Sequence, residues 1–204
     1  MMLDLNGIIQ KYNMKINGIL HIGAHYGQEH SSYKTNNINR IVYFEPLKSN
    51  FDVLKTRVDD NSILHNIALG QENKEIEMFV ETANQGQSSS ILEPGIHLNQ
   101  YPHITFDSKE VVMMKRLDDV IDNTNKEYNF ITIDVQGYEL EVFKGSIKTL
   151  ENIDYIVSEI NRDEVYKNCV KIDELSEFLA QYGFVLVEEN WCGGSWGDGL
   201  FVKQ

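Results

Sequence analysis

The stretch Ile19-Leu20-His21-Ile22-Gly23-Ala24-His25-Tyr26-Gly27 decides the fold. It opens as a short apolar run, which reads as a buried strand. It closes on two glycines, which read as the tight turn into a helix beginning near Gln28 or Glu29. Residues without Cβ at such a turn let backbone amides come close to a bound group. A second apolar run, Arg40-Ile41-Val42-Tyr43-Phe44, leads into Glu45-Pro46. A glycine turn after one strand, with an acid at the end of the next, is the nucleoside-binding arrangement of a doubly wound α/β fold. The acid there hydrogen-bonds the ribose hydroxyls.

Strand and helix alternate outward from this point. Leu47, Phe51, Leu54 and Val58 give the next helix an apolar stripe, and Pro46 suits its first turn. Residues 62–66 read as a third strand. Ala68-Leu69-Gly70 leads into a turn, and residues 75–80 alternate as a strand does. Residues 110–115 form a further strand, and 116–121 a helical turn. Residues 129–135 are mostly apolar and β-branched, like a buried parallel strand, and end on Asp134 before Gly137. A helix carrying Leu140, Val142, Phe143 and Ile147 follows. Residues 153–160 are the next main strand and again finish on an acid, Glu159. Ile172, Leu175, Phe178, Leu179 and Tyr182 form a last helical stripe, closed by Gly183. Residues 184–187 and 200–202 are strands with no helix between them, so they should pair antiparallel. The link between them holds Trp191 and Trp196. The pattern predicts a doubly wound, Rossmann-like, mostly parallel sheet with helices on both faces.

At 204 residues the chain is expected to form one domain, 1–204. Leu3, Leu5, Ile8, Ile9 and Tyr12 predict a short helix over 2–12, packed on the domain edge rather than acting as a lid, within an N-terminal extension 1–17. The least regular part, 81–109, is read as a substrate-side loop region. A net charge of −13 argues against nucleic acid and anionic membranes, because phosphate contacts need a basic face. No apolar run approaches the length of a membrane span. Cys169 and Cys192 make neither a disulfide framework nor a zinc knuckle, and a reducing cytoplasm is the simplest setting.

In open α/β sheets ligands bind beyond the carboxyl ends of the strands. Glu45, Asp134 and Glu159 all fall at such ends, and Asn66 falls where adenine would lie. In Gly23-x-His25-x-Gly27 a histidine occupies the position at which a glycine admits a pyrophosphate. A nucleoside without phosphates fits better, and S-adenosylmethionine is one.

Six blocks carry a resemblance. They are His21-Ile22-Gly23-Ala24-His25-Tyr26-Gly27, Phe44-Glu45-Pro46, Asn66-Ile67-Ala68-Leu69-Gly70, Ser88-Ser89-Ser90-Ile91, Leu117-Asp118-Asp119-Val120, and Ile133-Asp134-Val135-Gln136-Gly137-Tyr138-Glu139 with Val142-Phe143-Lys144-Gly145. In this order they resemble the FkbM-type methyltransferases over about residues 18–160. The resemblance implies a seven-stranded sheet of order 3-2-1-4-5-7-6 with strand seven antiparallel. It implies S-adenosylmethionine as cofactor and O-methylation, with a sugar or glycan hydroxyl favoured as the small-molecule acceptor. Carried over by position, Gly23 and Gly27 approach the methionine part, Glu45 holds the ribose, and Asn66 to Ala68 border the adenine. His21, Ala24 and Ser89 complete the cofactor-side set. The family usually has an acid where this chain has His21, and Glu-Gly-Ala where it has Gln136-Gly137-Tyr138.

Methyl transfer needs a base for the hydroxyl proton. Asp134 is the first candidate and Glu159 the second; His21, His25, His97 and His103 are rivals. No metal is expected. Were a cation to take part, Asp134, Glu159 and Asn161 offer an all-oxygen set suited to Mg²⁺. Two other classes compete: a methyltransferase-fold module that binds an adenosyl ligand or a partner without turnover, and a nicotinamide dehydrogenase. The first is kept alive by His21; the second is disfavoured by the Gly-x-His-x-Gly turn.

Overall fold

The computed structural model of the protein describes residues 3–124 and 126–204. In chain order its elements are α1 (Leu5–Lys11), β1 (Ile19–Ile22), α2 (His30–Thr35), β2 (Ile41–Phe44), α3 (Lys48–Arg57), β3 (Ile63–His65), β4 (Ala68–Leu69), β5 (Lys74–Val80), α4 (His97–Gln100), β6 (Ser108–Lys115), β7 (Phe130–Ile133), α5 (Glu139–Lys144), α6 (Ile147–Asn152), β8 (Tyr155–Asn161), α7 (Ile172–Ala180), β9 (Phe184–Cys192) and β10 (Trp196–Lys203).

Seven strands form one sheet in the order β3-β2-β1-β7-β8-β10-β9. The first five are parallel, and β10 is antiparallel to both β8 and β9. This is the expected order, strand for strand. Every residue of β1, β2 and β7 is buried, which explains their continuous apolar runs. Alternate side chains leave opposite faces. Leu20, Ile22, Val42, Phe44, Ile131 and Ile133 pack with Leu140, Phe143, Leu150 and Leu175 of α5, α6 and α7. Ile19, Ile41, Tyr43 and Phe130 pack on the other face with Leu5 and Ile8 of α1, Tyr33 of α2 and Leu54 of α3. Each such aliphatic or aromatic burial contributes about 1.5–3 kcal/mol.

The register sets the site. Ile22 lies opposite both Phe44 and Ile133, and Ile133 lies opposite Ser158. Gly23, Glu45, Asp134 and Glu159 therefore emerge side by side at one sheet edge. The approach is close: a Cβ on Gly23 would lie 1.8 Å from the Asp134 carbonyl oxygen, and its φ is +77°.

Several local features differ from the sequence reading. Ala68-Leu69 is a strand, paired with β6 in a second, three-stranded sheet of order β4-β6-β5. Two residues are too few for periodicity to reveal. The helix after Gly137 is two helices, broken at Gly145, where a Cβ would lie 1.9 Å from the Gly70 carbonyl oxygen. The helix after Glu45 starts at Lys48 rather than Pro46, because the Leu47 amide turns back to bond the Glu45 side chain. β9 and β10 extend through Trp191 and Trp196, which thus sit in strands. Segment 81–109 contains α4 and is pinned by the Phe79–Ser90 bridge. Helix α1 is capped by Asp4, which accepts from the amides of Asn6 and Gly7. It packs as expected, though Met2 lies outside the described residues. Among the described residues no helix is long and apolar enough to cross a membrane.

Gly23→Ala is expected to lower stability by more than about 3 kcal/mol, since both the φ and the contact oppose a methyl group. Denaturant unfolding of the two proteins checks this; a loss under 1 kcal/mol would contradict the packing of β1 on β7.

Candidate active site

A cavity of about 640 Å³ opens beyond the carboxyl ends of β1, β2, β7 and β8. One end is bounded by Gly23, Ala24, Glu45, Ile67 and Ala68, and the other by His97, Tyr101, His103, Ile104 and Trp196. Asp134, Gln136 and Glu159 form the floor between them.

Glu45 is buried where β2 ends. Its Oε2 accepts from the His25 amide at 2.8 Å and its Oε1 from the Leu47 amide at 2.9 Å. Burial pushes its carboxyl up to about 7, against the pull of these two amides. The carboxylate keeps lone pairs for further donors. Asn66 behaves differently. Its Nδ2 donates to the carbonyls of Glu45 and Pro46, and its side chain braces the turn rather than facing the cavity. Ile67 and Ala68 line the wall in its place.

Gly27 also lies outside the cavity lining. Its missing side chain makes room for Leu54 of α3, 2.7 Å from where a Cβ would stand. His21 lines the cavity but is buried, with Nδ1 3.1 Å from Tyr33 Oη and Nε2 3.9 Å from Glu29. Burial lowers its pKa, so it is neutral near pH 7. His25 has both ring nitrogens engaged, by Gln28 Nε2 at 2.7 Å and by the Gln85 carbonyl at 2.8 Å. It clamps the glycine turn to segment 81–109 and has no nitrogen left for proton transfer. Ser89 lines the cavity, and its Oγ accepts from the Glu81 amide. Ser90 is buried and donates to the Gln136 carbonyl at 2.8 Å.

The floor is acidic. Gln136 Nε2 donates to Asp134 Oδ1 at 2.6 Å and to Glu159 Oε2 at 2.8 Å. Glu159 also hydrogen-bonds Asp134, and its Oε1 accepts from Asn161 Nδ2 at 3.1 Å. Burial, then the charges of Asp134 and Glu139, hold Glu159 protonated well above the usual carboxylate range. Asn161 does not line the cavity. Among the described residues no group of three His, Cys, Asp or Glu side chains is arranged to hold a metal.

Four contributors were not singled out from the sequence for these roles. Glu139 Oε1 accepts from the amides of Val135 and Gly137 and so folds the loop after β7. Its place five residues after Asp134 in the quoted block was the available signal. Tyr166 Oη lies 2.7 Å from Gln136 Oε1 and 2.8 Å from the Ser88 carbonyl; nothing local in the sequence marks it. Asp198 lines the cavity because β10 places it opposite Glu159. Tyr101 receives a hydrogen bond from Trp196 Nε1 at 2.9 Å and, with His97, makes the far end aromatic. Trp191 is instead covered by Arg162, whose guanidinium sits 3.5 Å from its ring centre.

The family model described as the methyltransferase FkbM domain matches residues 21–186. The 2-O-methyltransferase NoeI of Sinorhizobium fredii (strain NBRC 101917 / NGR234) is 31% identical over 99 residues, which are 48% of this chain. The match spans 41% of that relative's own length. Among solved structures, Sp1610 of Streptococcus pneumoniae in complex with S-adenosyl-L-methionine matches with a TM-score of 0.56 at 12% identity, over 100% of this chain and 73% of that one. Magnesium protoporphyrin IX methyltransferase (ChlM) of Synechocystis PCC 6803 with bound SAM matches with a TM-score of 0.54 at 7% identity, over 98% and 76%. At these identities the structural likeness establishes the fold.

The Glu139 carboxyl is fully buried and pushed up to about 7, first by burial and then by Asp134. A carboxyl raised in the folded state stabilises fully below its unfolded pKa, and that contribution is lost as pH rises toward 7. Glu139→Gln keeps an acceptor for both amides and cannot ionise. Its stability relative to the parent is expected to rise by about 3 kcal/mol between pH 4.5 and pH 7 and then level off. Denaturant midpoints at several pH values read this directly; a pH-independent difference would contradict it.

Proposed function

We propose that this chain, which belongs to the FkbM methyltransferase family, transfers a methyl group from S-adenosylmethionine to a hydroxyl of a sugar or glycan. The observation that carries this is the continuity of the cavity. It runs from a strand-end acid and glycine turn suited to a nucleoside, past Asp134, to an aromatic end suited to a sugar ring.

The donor groups fit the cofactor. Glu45 is a buried carboxylate with spare lone pairs where ribose hydroxyls would donate. Ile67 and Ala68 give an apolar wall for a base, and Gly23, whose amide bonds the Phe44 carbonyl, brings bare backbone to the cavity edge. S-adenosylmethionine, when bound, supplies an electrophilic methyl on a sulfonium. The chain's residues then have three tasks. Tyr101, His97 and Trp196 hold the acceptor against one wall. The surrounding apolar side chains exclude water. Asp134 would take the hydroxyl proton, and that oxygen would receive the methyl carbon from the cofactor, which leaves as its neutral thioether.

Asp134 is preferred to its rivals on chemical grounds. Glu159 is buried, which raises its pKa well above the usual carboxylate range, and both its oxygens are already engaged by the amides of Gln136 and Asn161. His25 is fully engaged, and His21 is enclosed by Tyr33 and Tyr43. The acceptor reading draws on the 2-O-methyltransferase relative and on the aromatic end of the cavity.

Calorimetric titration is expected to give micromolar binding of S-adenosylmethionine and none of NAD⁺. Affinity should rise with pH through about 7, because the ribose contact needs ionised Glu45. Glu45→Gln should bind about 10-fold more weakly and lose that pH dependence. Absence of S-adenosylmethionine binding would defeat the reading.

Asp134→Asn is expected to bind the cofactor within about 3-fold of the parent. Label transfer from methyl-tritiated S-adenosylmethionine to a panel of methyl glycosides should fall by about 10²-fold or more. Near-parental transfer would remove Asp134 from the role of base.

A further inference from the structure

Gln136 joins three parts of the cavity floor through one side chain. Both hydrogens of its Nε2 are used, toward Asp134 Oδ1 at 2.6 Å and Glu159 Oε2 at 2.8 Å. Its Oε1 receives Tyr166 Oη at 2.7 Å, and that hydroxyl also lies 2.8 Å from the Ser88 carbonyl. Its own carbonyl accepts from Ser90 Oγ at 2.8 Å. The backbone there is left-handed, with φ +57°. A residue other than glycine holds such a conformation only where its surroundings enforce it, and such residues concentrate at functional sites.

We infer that Gln136 is a positioning residue for methyl transfer: its forked amide fixes the orientation of the Asp134 carboxylate at the cavity floor and, through Tyr166, ties that orientation to the Ser88–Ser90 segment. The inference rests on the methyl-transfer reading above, with Asp134 as base.

In this chain, which departs here from the family's usual glutamate, the arrangement uses an amide. Hydrogen bonds from an N–H to a carboxylate are among the stronger ones, and one –NH₂ reaches the carboxyl groups of both Asp134 and Glu159 at a fixed angle. The ionisable groups facing it are Asp134 from β7, Glu139 from α5, Glu159 from β8 and Tyr166 from the segment after β8. A glutamate at this position would add another acid to that set and lose both donors when ionised. Methionine would match the length and supply no donor. A serine hydroxyl or a lysine would not span both carboxylates with neutral charge.

The test uses Gln136→Met, Gln136→Glu and Tyr166→Phe in the full chain. The cofactor probe is S-adenosylhomocysteine, by calorimetry. The acceptor probe is the methyl glycoside panel with tritiated donor. Gln136→Met is expected to lose about 10²-fold in kcat while cofactor affinity stays within about 3-fold. Gln136→Glu is expected to recover part of the loss as pH falls, because a protonated carboxyl regains one donor. Tyr166→Phe should fall between the parent and Gln136→Met. Retention of more than a third of kcat in Gln136→Met, or a pH-independent ratio for Gln136→Glu, overturns the assignment.

Melting temperature provides a readout free of any acceptor. The deficit of Gln136→Glu relative to the parent should widen from pH 5 to pH 8, and a constant deficit counts against the fork. Should the parent bind cofactor yet label no glycoside, the glycan reading fails and the melting data decide the role of Gln136. Should the parent bind no cofactor, the methyl-transfer reading fails, and the inference fails with it.

Discussion

Four carboxylates, those of Glu45, Asp134, Glu139 and Glu159, converge at one edge of the main sheet, and three of them are buried. Burying that much acid is costly unless each group is hydrogen-bonded or protonated. The local structure of the site follows from meeting this constraint. Glu45 accepts from two amides of the turns beside it, and Glu139 Oε1 from two amides of the loop it closes. Glu139 Oε2 is buried without a hydrogen-bond partner among the described residues, and burial raises the pKa of the group. Glu159 is kept protonated, and the amide of Gln136 supplies donors to the remaining pair. The turns are shaped as much by these carboxylates as the carboxylates are by the turns.

This explains why acids with similar positions in the sheet differ chemically. Asp134 and Glu159 are both at strand ends and touch the same amide. Glu159 lies on β8, closed over by β10, whereas Asp134 is partly open to the cavity. Burial therefore raises the pKa of the more enclosed group well above the usual carboxylate range. The difference arises from depth in the fold and not from residue type.

The architecture was legible because its signals are local and repeated. Buried parallel strands announce themselves as apolar runs, and the absence of a helix between β9 and β10 fixed their antiparallel pairing. The placing of Gly23 and Glu45 in the cavity lining was legible for the same reason: both follow strands the runs define. Asn66 and Gly27 show the limit. Position brought both near the site, but the direction of a side chain depends on packing that no spacing reveals. Asn66 braces the Glu45 turn, and Gly27 admits Leu54. Tyr166 and Asp198 were beyond reach because each arrives from a distant element, one after β8 and one on β10. The two-residue strand β4 and the break at Gly145 depend on contacts between remote backbones.

The place of β10 between β8 and β9 has a kinetic consequence. β9 precedes β10 in the chain yet lies outside it in the sheet, so it has no strand to pair with until β10 is made. Asp198 and Trp196, carried by β10, complete the cavity wall, and Asp198 also receives the Leu3 amide from the other end of the described chain. Such sequence-distant closures are slow because loop entropy is lost before the contact is gained. During synthesis the parallel half of the sheet can assemble while the ligand cavity remains open on one side. The cavity wall is thus incomplete until β10 is made, and a nascent chain short of β10 presents the unpaired edge of β8 to its surroundings.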